Sequence, residues 1–247
     1  MKILFFHRWV GVHGGGTETH LLELAGRFKS RGHEIGILTR AGKRLDDLSG
    51  DITVFRVSQN FCESDHSYED FRVYAHTALF ALKSLMFLLL LYLKGKRFDV
   101  ISVHFATEAF VARIFRFFTG TPFLFVLEGY TALEAKTARY ANGRITISQY
   151  EAGMYKKNHG INSEVIYIGV DLNRFNVKKE AARTIRSRYV GDDEVMVITV
   201  CRLEPRKDIP TLLKAAVKVK ERSARIKFVI AGDGISRLTI EEEIEKL

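Results

Sequence analysis

The feature that most constrains this fold is a pair of short, wholly apolar runs with a helical pattern between them. Residues 3–6 form the first run (Ile3, Leu4, Phe5, Phe6), and Ile35, Ile37 and Leu38 carry the second. Runs without polar alternation mark strands buried on both faces. Between them Leu21, Leu24, Ala25 and Phe28 recur at helical spacing, with Leu22 beside them, and Arg31-Gly32 ends the helix. Strand, helix and strand in so short a span predict a βαβ unit with a parallel pair. Where the first strand meets the helix, Gly14, Gly15 and Gly16 stand in a row. The free N–H groups and positive dipole end of a helix start favour an anion there, and glycine lets a backbone approach a ligand closely. The structural reading of the same loop is a flexible turn. It is not a dinucleotide fingerprint, because Thr19 stands where the third glycine belongs. It is not a P-loop, because no Lys-Ser/Thr follows.

The same pattern repeats along the chain. Strands are predicted at 52–57, 99–103, 123–127, 145–147 and 165–168, and helices at about 68–93 (one or two) and 108–118. Phe110, Ile114, Phe117 and Phe118 are taken as the apolar side of the second of these helices. Ser148 and Glu151 read as a capping box that starts a further helix. Strands alternating with helices imply a doubly wound, mostly parallel α/β sheet. Residues 178–188 are polar and helix-prone, and Gly191-Asp192-Asp193 breaks the chain. Beyond that break come a strand at 195–200, a helix at 209–219, a strand at 226–230, the turn Ala231-Gly232-Asp233-Gly234 and a helix at 237–247. The expected domains are therefore a Rossmann-like domain at 1–176, a linker or helix at 177–193, and a partial Rossmann-like domain at 194–247. Two strands and two helices cannot cover both faces of a parallel sheet, so the second domain is expected to be truncated.

Charge narrows the partners. The 38 basic and 29 acidic residues leave a net +9 in 247 residues. Such an excess suits nucleic acid, an anionic membrane or a phosphorylated substrate. The cations lie in separate small clusters at 43–44, 94–97, 156–157, 178–179 and 183–188, and none is interleaved with aromatics. A nucleic-acid reader is disfavoured. Cys62 and Cys201 are far apart, and the eight histidines contain no H-x-x-x-H pair, so neither a disulfide framework nor a metal site is expected. No signal-peptide pattern opens the sequence, and the expectation is a cytoplasmic protein. Residues 85–93 are uninterrupted apolar, bounded by Lys83 and Lys94. This is short of the roughly 20 residues of a spanning helix, and it reads as a crossover helix buried against the sheet. A peripheral contact with the inner membrane surface is the other reading.

The segment "CRLEPRKDIPTLLKA", 201–215, carries the sharpest chemistry. Arg202 leaves the end of a strand and Lys207 precedes a helix, at the edge where α/β proteins bind ligands. A guanidinium fork and an ammonium point charge together suit phosphate oxygens. The structural alternative is a pair of solvated loop cations. Here the chain resembles the retaining glycosyltransferases of the GT-B fold often called family 4. "MKILFF", the 14–16 glycine loop, "LLELAGRFKSRGHEIGILT", "FDVISVH", "ITISQY", "IGVDLNRF", the 201–215 segment and "IAGDG" fall in that family's order.

The resemblance implies that Gly15 and Gly16 lie near the donor phosphates and the acceptor. It implies that Arg202 and Lys207 neutralise the donor diphosphate as the sugar leaves, so that no metal or other cofactor is required. Gly232 and Gly234 match a loop near the donor nucleotide, and His104 matches a family histidine, against the plainer role of a satisfied cleft histidine. Three features depart from the family. Cys201 and Asp208 stand where glycines usually frame the cation pair. Glu128 stands where many relatives carry a histidine facing the acceptor and the reacting carbon, which makes it the candidate catalytic and acceptor-side residue. The family's E-x7-E motif is missing, because no Glu here has a Glu eight residues downstream. The implied reaction is hexosyl transfer from a nucleotide-diphosphate sugar to a hydroxyl acceptor, lipid-linked ones included. The implied partner is a separate polypeptide that supplies the missing half. The alternative is a non-catalytic remnant or subunit that binds a ligand or a partner, and whether this chain is itself an enzyme is left open.

Overall fold

The computed structural model describes residues 1–11, 15–40, 52–57, 71–129, 131–223 and 225–247, without the side chains of 71–74. Gly14, Cys62 and the 43–44 cation pair lie outside the described residues. Contacts divide the chain into two compact units, Met1–Gly169 and Val170–Leu247.

The first unit is built on strands β1 (Lys2–Phe6), β2 (Glu34–Thr39), β3 (Thr53–Arg56), β4 (Val100–Val103), β5 (Phe123–Leu127), β6 (Gly143–Thr146) and β7 (Glu164–Val165). Their order is β3-β2-β1-β4-β5-β6-β7, and each pairing is parallel. The chain winds one way from β1 to β3 and the other way from β4 to β7, so helices fall on both faces. Helix α1 (Gly16–Ser30) packs Leu21 and Ala25 against Ile3, Phe5, Ile35 and Ile37 on one face. On the other face Leu4, Phe6, Ile101, Val103, Phe123 and Phe125 meet three helices: α2 (Phe71–Leu93), α3 (Ala106–Thr119) and α4 (Ala132–Ala138). Tyr155, from α5 (Gln149–His159), joins the same core. Alternate residues of β1 thus serve opposite faces, as the period of two requires.

The structure corrects several expectations. The strand expected at 165–168 is only the two residues of β7, and Ile166, Tyr167 and Ile168 are exposed. Helix α4 was not expected, yet Thr131 and Glu134 form its capping box: the Glu134 N–H donates to the Thr131 hydroxyl at 3.1 Å, and the Thr131 N–H donates to the Glu134 carboxylate at 3.0 Å. At the box that was expected, Ser148 accepts from the Glu151 N–H at 3.2 Å, while the Glu151 carboxylate takes the Ile147 N–H instead. Helix α3 lies on the sheet by Ala109, Val111, Ala112 and Phe115, and Phe110, Phe117 and Phe118 point to solvent. Two alanines let the helix approach closely, and the larger aromatics take the outer side. Helix α2 is the expected crossover helix, but only one stripe of it is buried.

The second unit starts with the short helices α6 (Leu172–Phe175) and α7 (Lys179–Arg186), and then pairs β8 (Val195–Val200) in parallel with β9 (Ile226–Ala231). Helices α8 (Ile209–Lys220) and α9 (Arg237–Glu245) add Ile209, Leu213 and Ile240 to a small core with Leu203.

Candidate functional site

In the first unit β1, β4 and β5 are apolar, and a polar residue follows each at or just beyond its carboxyl end: His7, His104 and Glu128. The register of the sheet brings these ends together. His104 is 2% exposed, and its Nδ1 lies 3.2 Å from Glu128 Oε1. Helix α1 starts beside them. Thr17 hydrogen-bonds the Glu128 carboxylate, and His20 lies within the electrostatic reach of His104 and Glu128. The His7 ring is fully buried and meets His104 edge-on, with centroids 5.2 Å apart.

Protonation states follow from these contacts. Burial opposes ionisation of Glu128, but the hydrogen bonds from His104 and Thr17 and the fields of His104 and His20 outweigh it. Its carboxyl sits below the usual carboxylate range and is ionised at neutral pH. A carboxylate only accepts, so Nδ1 of His104 is the donor of that bond. Burial first, then the neighbouring His104 and Arg8, push His7 well below its ordinary value, so its ring is neutral. The Trp9 N–H donates to His7 Nδ1 at 3.2 Å, which puts the His7 ring proton on Nε2. Burial likewise lowers His20. Among the described residues, Nε2 of His7 and Nε2 of His104 are both buried without a hydrogen-bond partner.

Two supports hold this cluster. The Arg8 guanidinium grips the fully buried Glu108 with both forks, Nε to Oε1 at 2.8 Å and Nη2 to Oε2 at 2.7 Å, and the Arg8 N–H adds a third bond at 3.2 Å. This fixes the chain leaving β1. Just after Glu128, the Tyr155 hydroxyl donates to the Gly129 carbonyl at 2.7 Å and lies 3.3 Å from the Glu134 carboxylate. Burial raises both of these groups: the Glu134 carboxyl lies above its ordinary value, and the Tyr155 phenol is raised further by the Glu134 charge.

Gly15 is the N-cap of α1 in an extended conformation, and Gly16 is the first helical residue. Among the described residues, a Cβ at Gly16 would meet nothing within 4 Å, and at Gly15 it would collide with the Glu18 carboxylate, which would have to shift. Packing among the described residues therefore does not demand glycine at Gly16, and at Gly15 only the Glu18 carboxylate would have to move. Glycine is an ordinary N-cap residue, and its small size here is also compatible with close approach by a ligand.

The second unit gathers the other candidates. Arg202 stands just past β8 with Nη1 2.9 Å from Glu204 Oε1, and Arg206 Nε lies 2.8 Å from Glu204 Oε2. Glu204 thus compensates part of the charge of Arg202 and Arg206. Lys207 is exposed and closes a 3-10 turn, Pro205–Lys207. The next residue, Asp208, has φ 50°, a left-handed conformation that glycine usually supplies and Asp tolerates. The replacement of a framing glycine by Asp208 therefore keeps the turn. The backbones of the two loops run in contact, Cys201 N–H to Ala231 O at 3.1 Å and Leu203 N–H to Asp233 O at 2.9 Å. A Cβ on Gly232 would fall on the Cys201 carbonyl, and one on Gly234 on the Leu203 carbonyl. These two glycines seat the chain that carries Arg202.

The structure thus brings Gly15, Gly16, His104 and Glu128 together in the first unit, and Arg202, Lys207, Gly232 and Gly234 in the second. His7, His20, Thr17, the Arg8–Glu108 pair and Glu204 were missed. The "FFHRW" run held a signal, because His and Arg directly follow a wholly apolar strand.

Two α/β units of this kind in succession are the GT-B class of fold, and solved structures show the same fold. The chain superposes on Anabaena HepE in complex with UDP with a TM-score of 0.74 at 18% identity, covering 100% of this chain and 65% of that one. Sucrose-phosphate synthase from Thermosynechococcus elongatus gives 0.69 at 15% identity, covering 93% and 70%. The catalytic domain of starch synthase IV from Arabidopsis thaliana, bound to ADP and acarbose, gives 0.70 at 15% identity, covering 99% and 70%. This chain thus spans 65% of the length of HepE. No curated protein sequence matches significantly. The family model described as Glycosyltransferase Family 4 matches residues 14–174, and the one described as Glycosyl transferases group 1 matches 182–247. The chain belongs to glycosyltransferase family 4.

Proposed function

We propose that this chain serves hexosyl transfer from a nucleotide-diphosphate sugar to a hydroxyl acceptor, its first unit forming the acceptor side and its second unit binding the donor diphosphate. The observation that carries this reading is the placing of Glu128 and His104 beside the start of α1. An ionised carboxylate, held by Thr17 and His104, is a ready acceptor for a sugar or acceptor hydroxyl. The glycines beside it leave room for a ligand to reach free N–H groups at the helix start. Arg202 and Lys207 supply charge-assisted hydrogen bonds to phosphate oxygens, so the reading assigns diphosphate neutralisation to side chains rather than to a metal. UDP-bound HepE and ADP-bound starch synthase support a nucleoside diphosphate as the common ligand. The scarcity of cysteine suits a reducing compartment, and the proposal places the protein in the cytoplasm.

The test is a transfer assay on the purified chain with UDP-, GDP- and ADP-hexoses and a panel of soluble and lipid-linked hydroxyl acceptors. Glycoside formation that Glu128→Ala and Arg202→Ala each lower at least about tenfold supports the reading. Nucleoside diphosphate binding without any transfer would favour a subunit that binds a ligand only. Neither binding nor transfer would overturn the proposal.

A further inference from the structure

Helix α2 has a buried stripe, Phe80, Ser84, Leu88 and Leu91, and an opposite stripe turned to solvent. The outward stripe consists of Leu79, Leu82, Met86, Leu90 and Leu93, each 46–80% exposed, interrupted only by Lys83. A crossover helix on a sheet ordinarily turns polar residues outward. Within α2, Ala75–Leu93 is long and apolar enough to cross a membrane, and only 22% of its most apolar stretch is buried. It does not span here, because it links β3 to β4 of one sheet and its inner stripe is packed on that sheet.

The neighbouring helix continues the surface. Tyr92 of α2 meets Phe115 of α3 at 6.1 Å between ring centroids, and α3 turns Phe110, Phe117 and Phe118 outward. Phe117 is 85% exposed. Beside them an open groove of about 970 Å³ is lined by these aromatics and by Arg113, Arg116, Arg139 and Arg144. Arg113 stacks on Tyr140, and Arg116, Arg139 and Arg144 donate to backbone carbonyls, so these contacts hold the cations in place.

The charge of this segment is predominantly positive. Residues 71–127 contain seven Lys or Arg and two acids, Asp99 and Glu108. Glu108 is buried in its grip with Arg8, and Asp99 accepts the Lys2 N–H. The outward surface of α2 and α3 therefore combines apolar stripes with Lys83, Lys94, Lys96, Arg97, Arg113 and Arg116, against Asp99 as the one exposed acid of residues 71–127.

We infer that the α2–α3 face docks on an anionic lipid bilayer, with the outward stripes entering the acyl boundary and the cations meeting lipid phosphates. Lys83 and Lys94 have stems long enough to carry their charge from the apolar stripe to the headgroups. A second copy of this chain would set these cations against identical cations, which opposes self-association through this face. The inference rests on the first unit's surface alone and is independent of nucleotide chemistry.

The full chain is sedimented with phosphatidylglycerol–phosphatidylethanolamine vesicles and with phosphatidylcholine vesicles, with and without about 0.5 M salt. Partition into the anionic vesicles at least about tenfold above the neutral ones, reduced by salt, is expected. Leu82→Glu with Leu90→Glu alters two exposed positions and should leave the circular dichroism spectrum unchanged. This variant should lose at least about tenfold of the binding, whereas Leu238→Glu, on an exposed apolar residue of the second unit, should keep it. Equal binding to both vesicle types, or anionic binding untouched by the paired substitution, would overturn the inference. So would a concentration-dependent dimer that the paired substitution abolishes while vesicles bind nothing.

Discussion

The strand-to-helix junction after β1 and the one after β8 have the same local topology and opposite chemistry. After β1 the chain enters a buried cluster of His7, His104 and Glu128, braced by an ion pair with a fully buried carboxylate. After β8 it enters an exposed loop of Arg202, Arg206 and Lys207 around Glu204. At the first junction burial keeps His7 neutral while hydrogen bonds and the neighbouring histidines keep Glu128 ionised, an arrangement suited to oriented hydrogen bonding to neutral hydroxyls. The second places its cations on the surface, Arg202 and Arg206 around Glu204 and Lys207 beside them, which suits a polyanion that brings its own charge. Their glycines differ in the same sense. Gly232 and Gly234 are required by the protein's own backbone, whereas Gly16 faces open space.

The sharpest way to break this contrast is at the brace. Arg8→Met leaves Glu108 buried without its partner and should cost about 3–5 kcal/mol, read from chemical denaturation. A loss below about 1 kcal/mol would mean that water reaches Glu108 and that the first junction is less buried than described.

Glycine substitution should separate the junctions next. Gly232→Val or Gly234→Val drives a Cβ into a carbonyl and should destabilise the chain by about 2–4 kcal/mol, lowering the melting temperature. Gly16→Val should leave the melting temperature within a degree or two while lowering transfer at least about tenfold. Normal turnover in Gly16→Val would return that glycine to a turn with no ligand.

How much of this was legible depended on where the signal lay. Strands β1, β2, β4 and β5 were readable because continuous apolar runs have few other uses. The short edge strand β7 was overextended because Ile166, Tyr167 and Ile168 are apolar and yet exposed. The orientation of α3 was misread because it has two apolar sides, and periodicity does not say whether Ala109 and Ala112 or Phe110 and Phe117 face the sheet. Arg202 and Glu128 were singled out through motif positions. Their partners were not, because Glu204 and Thr17 acquire meaning only when loops fold back. The link between His7 and His104 spans 97 residues of sequence and exists only through the register of β1 against β4.

A smaller effect follows from the His7 titration. Its proton leaves well below the ordinary 6.5 in the folded chain, so the unfolded chain binds that proton first as pH falls. Stability is therefore lost on acidification below about pH 6.5, at up to about 1.4 kcal/mol per pH unit. His7→Gln should flatten this part of the stability profile. An unchanged slope would mean that His7 is not held neutral.

The most direct test of the division between the junctions is calorimetric titration of UDP into the chain and into three variants. Arg202→Ala and Lys207→Ala should each weaken binding about tenfold, the loss of one charge-assisted hydrogen bond, whereas Glu128→Gln should leave the affinity unchanged. Binding that ignores Arg202 and Lys207, or that falls as far with Glu128→Gln, would contradict the assignment of the diphosphate to the second unit.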